Sequence, residues 1–167
     1  PGYFDDNGYK LYTSWNSGAP TMSSRTVNWD SVSEKRFPYR VVQTPGPRNA
    51  LGQVKFMFPN DFAVYLHDTP SRELFSRTSR TFSSGCIRVE KPLEFAQRLF
   101  GPDQGMSQRQ IDNIVGSRQT KRISLKRKVP VHLTYFTTWV NDQGVPQFFE
   151  DVYKRDAPVS AILEGRA

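Results

Sequence analysis

The chain is poor in the residues that usually announce a chemistry. It has one cysteine, Cys86, and two histidines, His67 and His132, in 167 residues. A lone thiol excludes an internal disulfide and a multi-cysteine metal site. Long apolar runs are also missing: no stretch approaches the roughly 20 residues that span a bilayer, and no secretory leader is recognisable. Repeats, low-complexity tracts and a convincing second compositional domain are absent too. Hydrophobic residues make up 37% and aromatics 13%, which argues against disorder, whereas twelve prolines point to much loop. The length suits one sizeable core.

Charge is not lacking. Lys and Arg number 23 against 16 Asp and Glu, a net +7. Such an excess suits a polyanion, an acidic envelope polymer or a membrane surface. Its densest run is Arg118, Lys121, Arg122, Lys126, Arg127 and Lys128. A solvated connection with lysine-protected strand edges explains that run more simply than a binding patch. No motif pairing basic spacing with stacking aromatics supports nucleic-acid binding.

Cys86 is either a small buried hydrophobe or a nucleophile. It lies in Ser83-Ser84-Gly85-Cys86-Ile87-Arg88. Gly85 allows the backbone to approach a substrate without a Cβ in the way. His67, in Tyr65-Leu66-His67-Asp68-Thr69-Pro70, is a candidate general base on a different element. Tyr65 and His67 are two apart, so on a strand they share a face. His132, with no Cys or carboxylate pattern near it, reads as structural or surface rather than as a metal ligand.

Secondary-structure signals describe a β-rich α+β chain. Strands are expected at 39–43, 54–58, 62–66, 122–125 and 131–140, with the last turning at Asn141-Asp142-Gln143-Gly144 into 147–150. A turn is expected at Pro59-Asn60-Asp61. Pro92 opens a helix with Leu93, Ala96 and Phe100 on one face; Ser107 caps a second with Ile111, Ile114 and Val115, ending at Gly116. Residues 1–36 scatter Tyr3, Phe4, Tyr9, Tyr12, Trp15 and Trp29 among Gly, Ser, Asn and Asp, and read as an irregular segment.

The stretch from Tyr65 to Arg88 resembles the signature of the L,D-transpeptidases, the YkuD-type enzymes of bacterial cell-wall synthesis. Their pattern is a histidine and, downstream, Ser/Thr-His-Gly-Cys, an apolar residue, then Asn or Arg. Here 15 residues separate His67 from Ser83, and the second histidine of the pattern is Ser84. That substitution is a feature of the large periplasmic (YcbB-type) branch. Pro45-Gly46-Pro47-Arg48-Asn49-Ala50-Leu51-Gly52 and Lys55-Phe56-Met57-Phe58-Pro59-Asn60 are similar to that branch as well.

The resemblance implies a YkuD-like β-sandwich catalytic domain with a few packed helices. Residues 1–36 would form part of an irregular cap or lid, and 37–167 the catalytic core. Early strands and a signal or anchor would lie upstream of Pro1. Cys86 would be the nucleophile and His67 its base, with the main-chain carbonyl at Asp68 holding the ring. Backbone N–H groups of Gly85 and Cys86 would bind the oxyanion. Arg88 would contact a substrate carboxylate rather than an internal acid, Tyr65 would line the cleft, and Ser84 would hydrogen-bond within the loop.

The implied reaction is peptidoglycan L,D-transpeptidation. A tetrapeptide stem would be the donor and a second stem the acceptor, giving 3→3 crosslinks, with D-amino-acid exchange as a side reaction. No cofactor or metal is implied. Carbapenems would acylate Cys86. The expected compartment is the periplasm of a Gram-negative envelope, where a single unpaired cysteine avoids internal disulfides. Two alternatives stay open: a cell-wall cysteine hydrolase (carboxypeptidase or amidase) and a non-catalytic peptidoglycan-binding module.

Overall fold

A computed structural model describes residues 1–83 and 85–166. The chain divides into two compact units, Pro1–Lys128 and Val129–Ala167. Its architecture is mixed α+β, with small sheets and four α-helices among the described residues. No helix among them is long and apolar enough to cross a membrane.

The first unit opens with α1 (Tyr3–Asp6), then β1 (Tyr9–Tyr12) and β2 (Thr21–Met22). Strand β1 sits between β2 and β3 (Arg40–Gln43), antiparallel to both, with Leu11 opposite Met22 and Val41. Leu11 is fully buried, and Phe4 packs its ring against Tyr9 and Trp29. Three donors from Ser23 and Ser24 converge on the Asp5 carboxylate. The Ser23 hydroxyl leads in holding its pKa below the ordinary value, ahead of the opposing effect of burial. The segment 1–36 is thus more regular than its composition suggests. Its aromatics are spaced to pack on a short strand rather than to mark a long period.

A second sheet carries β4 (Lys55–Phe56), β5 (Leu66–His67) and β6 (Ile87–Arg88) in the order β4-β5-β6. Strand β4 runs antiparallel to β5, and β5 runs parallel to β6. The expected strands at 54–58 and 62–66 are shorter than their composition suggests, for a local reason. The Asn60 side chain accepts from the N–H groups of Phe62 and Val64 and donates to the carbonyls of Phe58 and Val64. Backbone groups committed to an Asn side chain are withdrawn from a ladder. The connection is therefore a wide loop around Asn60, with Ala63 at φ 52°.

Helix α2 (Pro92–Gln104) starts on proline as expected and ends at Gly105, which takes the left-handed conformation that stops a helix. Pro92 and Ala96 are buried, and Phe95 packs edge-to-face on Phe56 with ring centres 4.9 Å apart. Helix α3 (Gln108–Gly116) carries a reciprocal capping box between Ser107 and Gln110 and buries Ile111. The expected strand at 122–125 is absent: Lys126 and Arg127 instead donate their backbone N–H groups to the Asp103 carboxylate, and Gln104 donates to the Ser124 carbonyl. That basic stretch is an exposed loop tied to the end of α2.

The second unit holds a hairpin of β7 (Thr138–Val140) and β8 (Pro146–Phe148), followed by α4 (Asp156–Leu163). The hairpin lies where the sequence places it, but the long strand expected at 131–140 contracts to three residues. Asn141 caps the turn by accepting from Gln143 and Val145. Val131, Leu133 and Tyr135 are exposed, so within its own unit the segment has no covering face to reward β pairing. Asp151 accepts from the Asp156 N–H and the Tyr135 hydroxyl. The Asp156 bond is the largest cause of its pKa falling to about 2.

Candidate active site

Parallel pairing of β5 with β6 brings two distant sequence segments together. Leu66 is in register with Ile87 and His67 with Arg88, while the Ile87 N–H donates to the Tyr65 carbonyl at 3.1 Å and the Val89 N–H to the His67 carbonyl at 2.8 Å. Carried one residue back, the same register sets Tyr65 beside Cys86. Side chains alternate along a strand, so Tyr65, His67, Cys86 and Arg88 belong to one face. Phe56 and Leu66 belong to the opposite face, where α2 lies against Phe56. A helix thus backs the sheet on one side and leaves the other for chemistry.

His67 is buried, with 5% of its surface exposed, and its Nδ1 lies 2.5 Å from the main-chain oxygen of Asp68. A carbonyl only accepts, so Nδ1 carries the proton and Nε2 is the nitrogen left to act as a base. The Tyr65 ring sits edge-to-face beside the imidazole, at 5.8 Å between centres. Its phenol is pushed above the ordinary tyrosine range, first by burial and then by the charge and hydrogen bonding of the Cys86 sulfur. Tyr65 therefore stays a phenol at neutral pH. Cys86 itself is half-buried and unpaired.

The Cys86 loop is organised by Ser83. Its hydroxyl donates to the Cys86 carbonyl at 2.7 Å and accepts from the Gly85 N–H at 3.2 Å. One of the two expected oxyanion donors is therefore engaged by Ser83 in this structure. Gly85 has no left-handed backbone angle, and a Cβ there would make a tight contact of 3.2 Å with the Val64 side chain. Ser84 lies outside the described residues.

Arg88 is the sharpest electrostatic feature. Its Nε and Nη1 are buried without a hydrogen-bond partner among the described residues. Buried donors normally find acceptors, and two guanidinium nitrogens on the thiol's face without one among the described residues suit an anion. Lys55 was not singled out as a candidate by sequence, yet it belongs to the same row. It is the β4 partner of His67, and its ammonium stands 5.6 Å from the centre of the Tyr65 ring. The order Lys55, His67, Arg88 across three strands puts a cation on each side of the imidazole. Only the pairing reveals this; Lys55 has no sequence signal as a site residue. His132 is exposed, and no group of three His, Cys, Asp or Glu among the described residues could hold a metal ion.

Asp68 serves through both its backbone and its side chain. The residue is 2% exposed, and its carboxylate accepts from the Gln53 N–H at 2.8 Å and from Arg72 Nη2 at 2.7 Å. Gly52, at φ +63°, leaves room for it: a Cβ there would stand 2.3 Å from the Asp68 Cγ. Gly52→Ala would combine left-handed backbone strain with expulsion of the carboxylate from its charge-assisted bonds. The expected cost is about 2–4 kcal/mol, read as a lower urea midpoint at unchanged slope. Unchanged stability would show that the carboxylate can move freely.

A depression of about 420 Å³ at the end of α3, lined by Asn113, Ile114, Ser117, Gln119, Thr120 and Lys121, holds none of these groups. Residues 2–104 match the sequence profile of the YkuD family, described as the L,D-transpeptidase catalytic domain. A Haemophilus influenzae protein named "Putative L,D-transpeptidase" is 34% identical over 160 residues, an alignment covering 96% of this chain and 31% of that protein. The chain thus spans about a third of the length of the curated relative it matches.

Proposed function

The chain belongs to the YkuD family of L,D-transpeptidase catalytic domains, and on that premise we propose that it crosslinks peptidoglycan stem peptides through a thioester at Cys86. The observation that carries the reading is the β5–β6 register, which gathers Cys86, His67, Tyr65 and Arg88 on one face. In the first half-reaction, His67 Nε2 takes the thiol proton as sulfur attacks the carbonyl carbon of the donor stem's third residue. The carbon–nitrogen bond to the terminal D-alanine breaks, and the imidazolium returns its proton to the leaving amine. In the second, a side-chain amine of another stem attacks the thioester, gives its proton to His67 and releases the thiol. A D-amino acid as acceptor gives exchange; water gives a shortened stem.

The remaining assignments follow the same premise. The N–H groups of Gly85 and Cys86 would hold the oxyanion, with Gly85 released from Ser83 or shared with it. Residues 1–36 would act as part of a cap and 37–167 as the core of a YkuD-like β-sandwich. The large periplasmic branch of the family, a Gram-negative periplasm and covalent inhibition by carbapenems complete the reading. Arg88 would take a carboxylate of the stem peptide. Arg88→Ala should cost about 10–100-fold in kcat/KM, the equivalent of one lost hydrogen bond to a charged group. A donor lacking that carboxylate should be nearly indifferent to the change, and an equal loss with both donors would place Arg88 in the scaffold.

The test of the whole reading is mass spectrometry of a purified tetrapeptide muropeptide after incubation with the protein. Dimers short of one D-alanine support transpeptidation. Shortened monomers alone would make the protein a hydrolase, and binding without turnover or adduct would make it a recognition module.

A further inference from the structure

Every polar group of Asp68 is committed. Its N–H donates to the Val54 carbonyl at 2.9 Å, its carbonyl accepts from His67, and its two carboxylate oxygens are held by Gln53 and Arg72. A residue tied at four points cannot swing its carbonyl away from the imidazole. Arg72 then does something an ordinary ion pair would not. While Nη2 holds the Asp68 carboxylate, Nη1 donates at 2.6 Å to the carbonyl of Glu90. Glu90 lies two residues beyond Arg88, just past β6, the strand that begins immediately after Cys86. One planar guanidinium therefore reaches from the end of the base's strand to the end of the nucleophile's strand.

We propose that Arg72 and the Asp68 carboxylate form a clamp that aims the His67 ring and fixes it relative to the Cys86 strand, with Gly52 leaving the space the carboxylate needs. The proposal rests on the reading of His67 as the base of Cys86. Arg72 touches no reacting atom in this account; it is a positioning residue. Two alternatives to its guanidinium fail geometrically. Lysine can neutralise the carboxylate, but as a point charge it has no rigid fork with which to serve two acceptors on different strands. A neutral residue would leave the buried carboxylate with only the Gln53 N–H. The groups that face His67 from the neighbouring elements are Lys55, Tyr65, Cys86 and Arg88, and the clamp approaches from Asp68 behind them.

The test compares Arg72→Ala and Arg72→Lys with the parent protein at one neutral pH. Three quantities are read: the rate of Cys86 alkylation by iodoacetamide, the imidazole N–H proton resonance of His67, and the melting temperature. Misplacing a base by about 1 Å costs on the order of 100-fold, so Arg72→Ala should alkylate about 10–100-fold more slowly and lose the protected N–H signal. Arg72→Lys should recover part of both. A folded Arg72→Ala with the parent's rate and N–H signal would overturn the clamp, whatever its melting temperature. If Arg72→Ala melts below the assay temperature, Arg72→Lys carries the comparison, and parent values there overturn it equally. Alkylation needs no stem peptide. Slow alkylation with no muropeptide dimers would thus support the clamp and sink the transpeptidase reading, while the converse would do the opposite.

Discussion

Cys86→Ala should eliminate covalent labelling by a carbapenem and all conversion of the tetrapeptide donor, a loss of at least about four orders of magnitude. No other thiol exists to take over, and a hydroxyl in the neighbourhood lacks the acidity. Intact-mass measurement after incubation with the carbapenem reads this directly: the parent gains one adduct and the alanine variant none. The fold should hardly notice. Cys86 is half-buried, and the contacts that position its segment are made by backbone: its carbonyl to Ser83 and the neighbouring Ile87 N–H to Tyr65. Losing one sulfur from a half-buried side chain removes little packing, so stability should change by less than about 1 kcal/mol. An adduct of equal yield on Cys86→Ala would move the nucleophile elsewhere in the chain.

The parts of this molecule that were legible in the sequence are those specified by neighbours in the chain. Pro92 at the start of α2 and Ser107 at the cap of α3 each act within one helical turn. Cys86 and His67 stood out as residue types, but their juxtaposition depends on a parallel pairing between segments that do not adjoin. Nothing in the 19 intervening residues encodes which way β6 runs beside β5. Lys55 and Arg72 were hidden for the same reason. A lysine on a strand and an arginine at the start of a short 3-10 helix are ordinary surface residues until the partner across the sheet is known. The Asp68 side chain is subtler, since the carboxylate works by restraining the carbonyl of its own residue. The β-rich look of 131–140 misleads because β propensity measures fit to a half-buried surface, and that stretch is exposed within its unit.

The second large effect is expected from His67→Asn. Asparagine can still donate its amide to the Asp68 carbonyl, as Nδ1 does now, but offers no basic nitrogen toward the sulfur. Acylation of Cys86 at neutral pH should fall by about 10²–10⁴-fold, the usual contribution of a positioned base, while the fold keeps the hydrogen bond that anchors this position. Because Cys86 remains, the adduct should still accumulate over long incubation, which separates this variant from Cys86→Ala. Tyr65 is another group beside the sulfur with a removable proton, and it cannot substitute. Burial and the sulfur's own charge raise its pKa above the ordinary tyrosine value. At neutral pH it is therefore a phenol that can donate toward a thiolate but has no vacancy for the thiol's proton. Tyr65→Phe should accordingly slow acylation far less than His67→Asn. The reverse order in two folded variants would make the phenol, rather than the imidazole, the group that activates the nucleophile, and the clamp on Asp68 would then be aiming a ring with no proton to move.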